Sequence, residues 1–205
     1  MEAINDRNLD VVTLFRVARR HGAALAQELS AQLVSRAEFR RLLATPPETL
    51  TDIERAARFL LLQRLGYGGQ PDTTSFPARR HTADSLDADR LRTMILAVHR
   101  RLARVTIEQL DYGDFLRTYD HPRALFYLDP PYWGCEGIYG RDLFTRDDFA
   151  RLAEALGRLK GRFLLSLNDR PEIRRLFARY RIDEEPVTYT VAGKPKAVVE
   201  LVISG

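Results

Sequence analysis

Leu125-Phe126-Tyr127-Leu128-Asp129-Pro130-Pro131-Tyr132 is the stretch whose reading decides the fold. Its first residues are apolar without alternation, which predicts a short strand buried on both faces, as in parallel α/β sheets. Two prolines end it, since neither has the N–H that a continuing ladder needs. The strand therefore delivers to its carboxyl end a carboxylate (Asp129), a rigid backbone carbonyl (Pro130, followed by Pro131) and an aromatic ring (Tyr132). In open α/β sheets that end is where ligands sit.

These groups suit the activation of an amine. An exocyclic amine on a nucleobase is a poor nucleophile because its lone pair is delocalised into the ring. If Asp129 accepts one of its N–H bonds and the Pro130 carbonyl the other, the lone pair localises. Positive charge then grows on that nitrogen in the transition state, where two fixed acceptors stabilise it more than the ground state. The Tyr132 ring offers a stacking face for a base taken out of its helix. The plain alternative is an Asp-Pro-Pro turn closing a strand; the apolar strand before it and the aromatic after it favour the functional reading.

Composition bounds the rest. A chain of 205 residues can bury one core, with room for an insertion, and 45% hydrophobic with 29% charged residues is a globular balance. No apolar run approaches membrane-spanning length and no signal-peptide pattern opens the chain, so no membrane partner is expected. The single cysteine, Cys135, cannot form an internal disulfide, which fits a cytoplasmic location. No cysteine or histidine cluster calls for a metal. A net charge of +4 permits a polyanionic partner without demanding one. Arginine dominates the basic residues, a bias that phosphate binding and genomic base composition explain equally.

Along the chain, residues 1–8 read as a short strand and a polar turn, followed by a helix over 9–21. Asp6 sits just past that strand, where nucleotide-binding α/β folds place an acid for ribose hydroxyls; the other reading is that Asp6 or Asn8 caps the helix. Residues 22–49 continue helical until Pro46-Pro47. Thr51 and Glu54 have capping-box spacing for a helix through Arg64. A glycine-rich polar loop follows, containing Tyr67-Gly68-Gly69-Gln70 and leading to Arg79 and Arg80, before another helix over 85–101. Such a loop suits DNA, with cations on phosphates and polar groups toward base edges; a solvated loop is the alternative.

Residues 105–110 alternate like a strand ending at Gln109, Leu110 and Asp111, and 112–119 make a short helix. Residues 133–142 read as a mobile loop that orders over substrate. Thr145 and Asp148 cap a helix through Leu159 that Gly161 ends, and 163–167 form a second buried strand. Asn168 at its carboxyl end either meets the base or sugar, or caps the helix starting at Pro171. Residues 187–191 and 197–203 form an antiparallel pair across a Gly193-Lys194-Pro195-Lys196 turn, whose lysines touch phosphate or are only solvated.

The Asp129–Tyr132 tetrapeptide resembles motif IV of the amino-methyltransferases, and the chain from Ala3 to Val202 is similar to the Dam-like adenine-specific DNA methyltransferases. The resemblance also rests on Ile4-Asn5-Asp6-Arg7-Asn8, Arg58-Phe59-Leu60 through Gly66-Tyr67-Gly68-Gly69, and Leu165-Ser166-Leu167-Asn168-Asp169. It implies a Rossmann-like α/β sheet that uses S-adenosylmethionine, with residues 1–21 and 103–205 as catalytic domain and 22–102 as a helical target-recognition insertion for double-stranded DNA. It implies that Asp6 binds the cofactor ribose, that Gln109, Leu110 and Asp111 line its adenine pocket beside Asp129, and that Tyr67 wedges into the base stack. It favours adenine N6 over cytosine N4, and leaves phage, restriction–modification and chromosomal roles open. The family carries an apolar strand and a glycine-rich cofactor loop before the position of Asp6, and this sequence begins after them. A truncated methyltransferase, a second chain that supplies the strand and loop, and a DNA-binding remnant are the three readings of that departure.

Overall fold

The computed structural model describes residues 1–33, 35–66, 87–139, 143–191 and 194–205. They form two compact units, residues 1–109 and 110–205. The expected insertion at 22–102 lies wholly within the first.

The first unit begins with β1 (Glu2–Asn5), which pairs in parallel with β2 (Val105–Glu108) in the register Glu2↔Val105 to Asn5↔Glu108. Between them come α1 (Leu9–Ser30), α2 (Arg36–Ala44), α3 (Asp52–Leu65) and α4 (Ala88–Leu102). Asn8 caps α1 by accepting from the Asp10 N–H, which leaves Asp6 outside the helix. The helix expected over 9–21 does continue past residue 22, kinked at His21 (φ −131°, ψ 34°), but α1 ends at Ser30 and α2 starts only at Arg36, so 22–49 is not one helical run. The capping box at Thr51 and Glu54 forms as expected, with Thr51 N and Oγ1 both donating to Glu54. Val17, Leu25 and Leu29 of α1 pack with Phe39, Leu42, Leu61, Leu65 and Ile95 in a helical core. Such amphipathic faces stabilise the helices mainly through burial.

The second unit carries α5 (Tyr112–Tyr119), β3 (Leu125–Leu128), α6 (Asp148–Leu156), β4 (Arg162–Asn168), α7 (Pro171–Leu176), β5 (Arg181–Val191) and β6 (Lys194–Ser204). The sheet order is β3-β4-β6-β5, with β3 parallel to β4 and the other pairs antiparallel. Phe126, Phe163, Leu165, Leu167, Leu201 and Ile203 turn one face of this sheet into a core with Leu116, Phe149, Leu152, Ile173 and Phe177 from the helices.

Several expectations are corrected here. β3 is buried on one face only: Leu125 is 59% and Tyr127 71% exposed, and Leu164 on β4 is 37% exposed. The cause is that the helices of this unit pack only against the opposite face, which carries Phe126, Phe163 and Leu165. α6 ends at Gly157, not Gly161. Gly161 instead lies where a Cβ would come within 2.9 Å of the Ala124 and His121 carbonyls, and Asp120 accepts from its N–H and that of Lys160. The closing ladder runs to Val191↔Lys194, so Lys194, Pro195 and Lys196 belong to β6 rather than to a turn. No helix among the described residues is long and apolar enough to cross a membrane.

Candidate active site

Asp129 follows directly from β3, at the carboxyl end of the parallel pair, with its side chain exposed. Its Oδ1 accepts a hydrogen bond of 2.9 Å from Ser166 Oγ on β4. Ser166 is itself buried, and the Tyr127 hydroxyl lies 3.5 Å from its Oγ. Ser166 follows Leu165, the register partner of Leu128, so the ladder brings the hydroxyl up to the carboxylate. No ion pair involves Asp129 among the described residues, and its Oδ2 has no bonded partner among them. The carboxylate is thus fixed through one oxygen and open at the other.

The Tyr132 hydroxyl donates to Glu200 Oε1 at 2.5 Å. Burial first, then this hydrogen bond and the negative charges of Glu200 and Asp129, push the phenol above its ordinary range. It stays a neutral donor, and its ring is held.

Asn168, the register partner of Glu200, fixes the next residue. Its Oδ1 accepts from the Trp133 N–H at 2.9 Å and its Nδ2 donates to the Trp133 carbonyl at 3.1 Å. The cap reading of Asn168 is not met, since α7 has Arg170 at its N-cap; the amide holds the Trp133 backbone through its oxygen and one N–H. Gly134 then turns the chain at φ +89°, a conformation that costs a residue with a Cβ. The indole of Trp133 packs 5.0 Å from the Phe149 ring, and Arg146 stacks 4.0 Å over it while pairing with Glu136 at 2.7 Å. The start of the expected mobile loop is therefore tied down; residues 140–142 lie outside the described residues.

In the first unit, Asp6 extends the β1–β2 pair, its N–H reaching the Glu108 carbonyl. Its Oδ1 accepts from the Asn8 N–H at 2.7 Å. Burial raises its pKa, opposed by the Asn8 and Arg7 N–H groups. Gln109 is exposed one residue past β2, and Leu110 is half-buried. Asp111 caps α5 by accepting from the Gly113 N–H at 2.9 Å. Tyr67, Gly68, Gly69, Gln70, Arg79 and Arg80 lie outside the described residues. Among the described residues no group of three or more His, Cys, Asp or Glu is arranged to hold a metal.

Sequence reasoning missed Ser166 and Glu200. Each is the polar residue in an otherwise apolar strand segment, which is the signal that marks them in retrospect.

Residues 2–191 match the family model of the D12 class N6 adenine-specific DNA methyltransferases. No curated protein matches the chain.

Proposed function

The chain belongs to the D12 class N6 adenine-specific DNA methyltransferases, and on that premise we propose that it methylates adenine N6 in double-stranded DNA from S-adenosylmethionine, at Asp129–Tyr132. The observation that carries this reading is the Asp129 carboxylate, exposed at a strand end, fixed by Ser166 and open at its second oxygen.

Asp129 accepts one N–H of the adenine amine and the Pro130 carbonyl the other, with Pro131 keeping the backbone rigid. Positive charge developing on nitrogen meets two preorganised acceptors. Asp129 is also the acceptor for the proton that nitrogen gives up. Tyr132 stacks on the base after it is flipped from the duplex, because an adenine inside the helix does not reach the site. S-adenosylmethionine supplies, when bound, a methyl carbon already activated by its sulfonium. Asp6 fits the ribose hydroxyls as an acidic acceptor at the end of β1, its carboxylate held in place by the Asn8 and Arg7 N–H groups. Gln109, Leu110 and Asp111 line the adenine of the cofactor, beside Asp129.

In this reading residues 1–21 and 103–205 are the catalytic part of a Rossmann-like fold, and 22–102 recognise the target. Tyr67 wedges into the stack; Gly68, Gly69, Gln70, Arg79, Arg80, Lys194 and Lys196 meet the DNA; Asn168 contributes by holding Trp133. Among the described residues β3 is an edge strand, beside exposed Leu125 and Tyr127, and that edge supports pairing with a further strand.

The test is transfer of labelled methyl from S-adenosylmethionine to adenine-containing duplex, with Asp129→Ala as control. Label in adenine, lost in the variant, is expected. Equal activity in Asp129→Ala removes this residue from the mechanism. Micromolar S-adenosylmethionine binding by calorimetry is expected and counts against a remnant that only binds DNA.

A further inference from the structure

Arg16, Arg19 and Arg20 project from one side of α1, at the i, i+3, i+4 spacing that places side chains on a common face. With Arg104, Val105, Thr106 and Ile107 they line an open cleft of about 500 Å³ along β2. Arg19 is committed to structure, donating from Nη1 to the Val105 carbonyl at 2.7 Å. Arg16, Arg20 and Arg104 are exposed, and among the described residues no carboxylate lines the cleft with them. The nearest acid of β1, Glu2, pairs with Arg101 instead. Like charges gathered without a counter-charge repel one another, and an anion entering the cleft relieves that repulsion.

The cleft also lies away from the cofactor acid. Val105 pairs with Glu2 at the amino end of the β1–β2 ladder, whereas Asp6 follows Asn5 at the carboxyl end. An anion at these arginines therefore lies at the other end of the ladder from the ribose that Asp6 would hold. Guanidinium groups bind phosphate oxygens through paired N–H donors, and a row of them one helical turn apart follows a repeating phosphate chain better than a single small anion. We infer that Arg16, Arg20 and Arg104 form a docking site for the backbone phosphates of duplex DNA, additional to the Asp129 site. This rests on DNA being the substrate and not on methyl transfer. Contacts of this kind position the protein on DNA and carry no base preference.

The experiment uses a labelled duplex of G·C pairs only, which has no adenine to methylate, and measures binding by anisotropy across a salt series. The triple variant R16Q/R20Q/R104Q is expected to bind at least about tenfold more weakly at low salt. Its slope of log K against log salt is expected to fall by about 2–3, close to one per lost phosphate contact. The G·C duplex is bound without any methyl transfer, so loss of docking reads separately from loss of methylation. An unchanged slope and affinity in a folded triple variant overturns the proposal. Should the variant not fold, arginine modification by phenylglyoxal on the wild-type chain decides: duplex protection of Arg16, Arg20 and Arg104 supports docking. Equal modification with and without duplex overturns it, and so does protection by inorganic tripolyphosphate alone.

Discussion

Tyr132 and Glu200 are joined by a hydrogen bond of 2.5 Å, phenol to carboxylate, across 68 residues of sequence. The ring after the prolines is therefore aimed by a residue on β6. Tyr132→Phe keeps the stacking face and loses only the tether, so its kcat is expected to fall a few-fold. Tyr132→Ala removes the face, at about 1–3 kcal/mol or roughly 5–150-fold. Glu200→Ala should resemble Tyr132→Phe in steady-state methylation assays. Equal losses for Tyr132→Phe and Tyr132→Ala would show that the ring is not a stacking surface.

The phenol also predicts alkaline behaviour. Both Tyr132 and Tyr112 are raised above the ordinary tyrosine range, each by burial first and then by a hydrogen bond to an acid. A raised folded pKa means stability that is full below the unfolded value, about 10, and lost as pH rises through the folded one. Ultraviolet titration near pH 11 should therefore show at least two fewer phenolates in the native protein than in urea. A titration that matches the unfolded chain would refute both contacts.

Asp148 gives the acid limb. It is 3% exposed. Burial pushes its pKa up, but hydrogen bonds from Thr145 and Tyr112 and the charge of Arg151 outweigh it, leaving the carboxyl below its usual range. A depressed carboxylate stabilises above the unfolded pKa and ceases to as pH falls through the folded one. Asp148→Ala should cost about 1–3 kcal/mol at pH 7 in urea unfolding. The difference from wild type should shrink below about pH 4; a gap that persists undiminished there would mean that charge is not its source.

Asn168→Ala removes both bonds to the Trp133 peptide. Each is worth about 1 kcal/mol, so opening at Trp133 should become roughly tenfold easier or more. Faster amide exchange at Trp133, with the global unfolding midpoint falling only slightly, is the expected result. Unchanged exchange there would show that the loop stands without the amide.

Local chemistry was legible in the sequence wherever it is settled within a few residues. The Thr51–Glu54 box, α5 from Tyr112 to Tyr119 and the strand ending at Asp129 all follow from spacing and from proline. What required the structure depends on register. Ser166 reaches Asp129, and Asn168 faces Glu200, only because of how β3, β4 and β6 are aligned. Likewise apolar residues announce a strand but not whether something covers both faces, which is why Leu125 and Tyr127 were misjudged.

Those two side chains carry a practical corollary. Among the described residues no strand pairs with the outer side of β3, and that edge, flanked by uncovered leucine and tyrosine, makes a ready template for recruiting copies of the same polypeptide. A concentrated preparation of this chain should scatter light increasingly with time, and Tyr127→Lys should keep it clear, because a buried lysine would penalise each added layer.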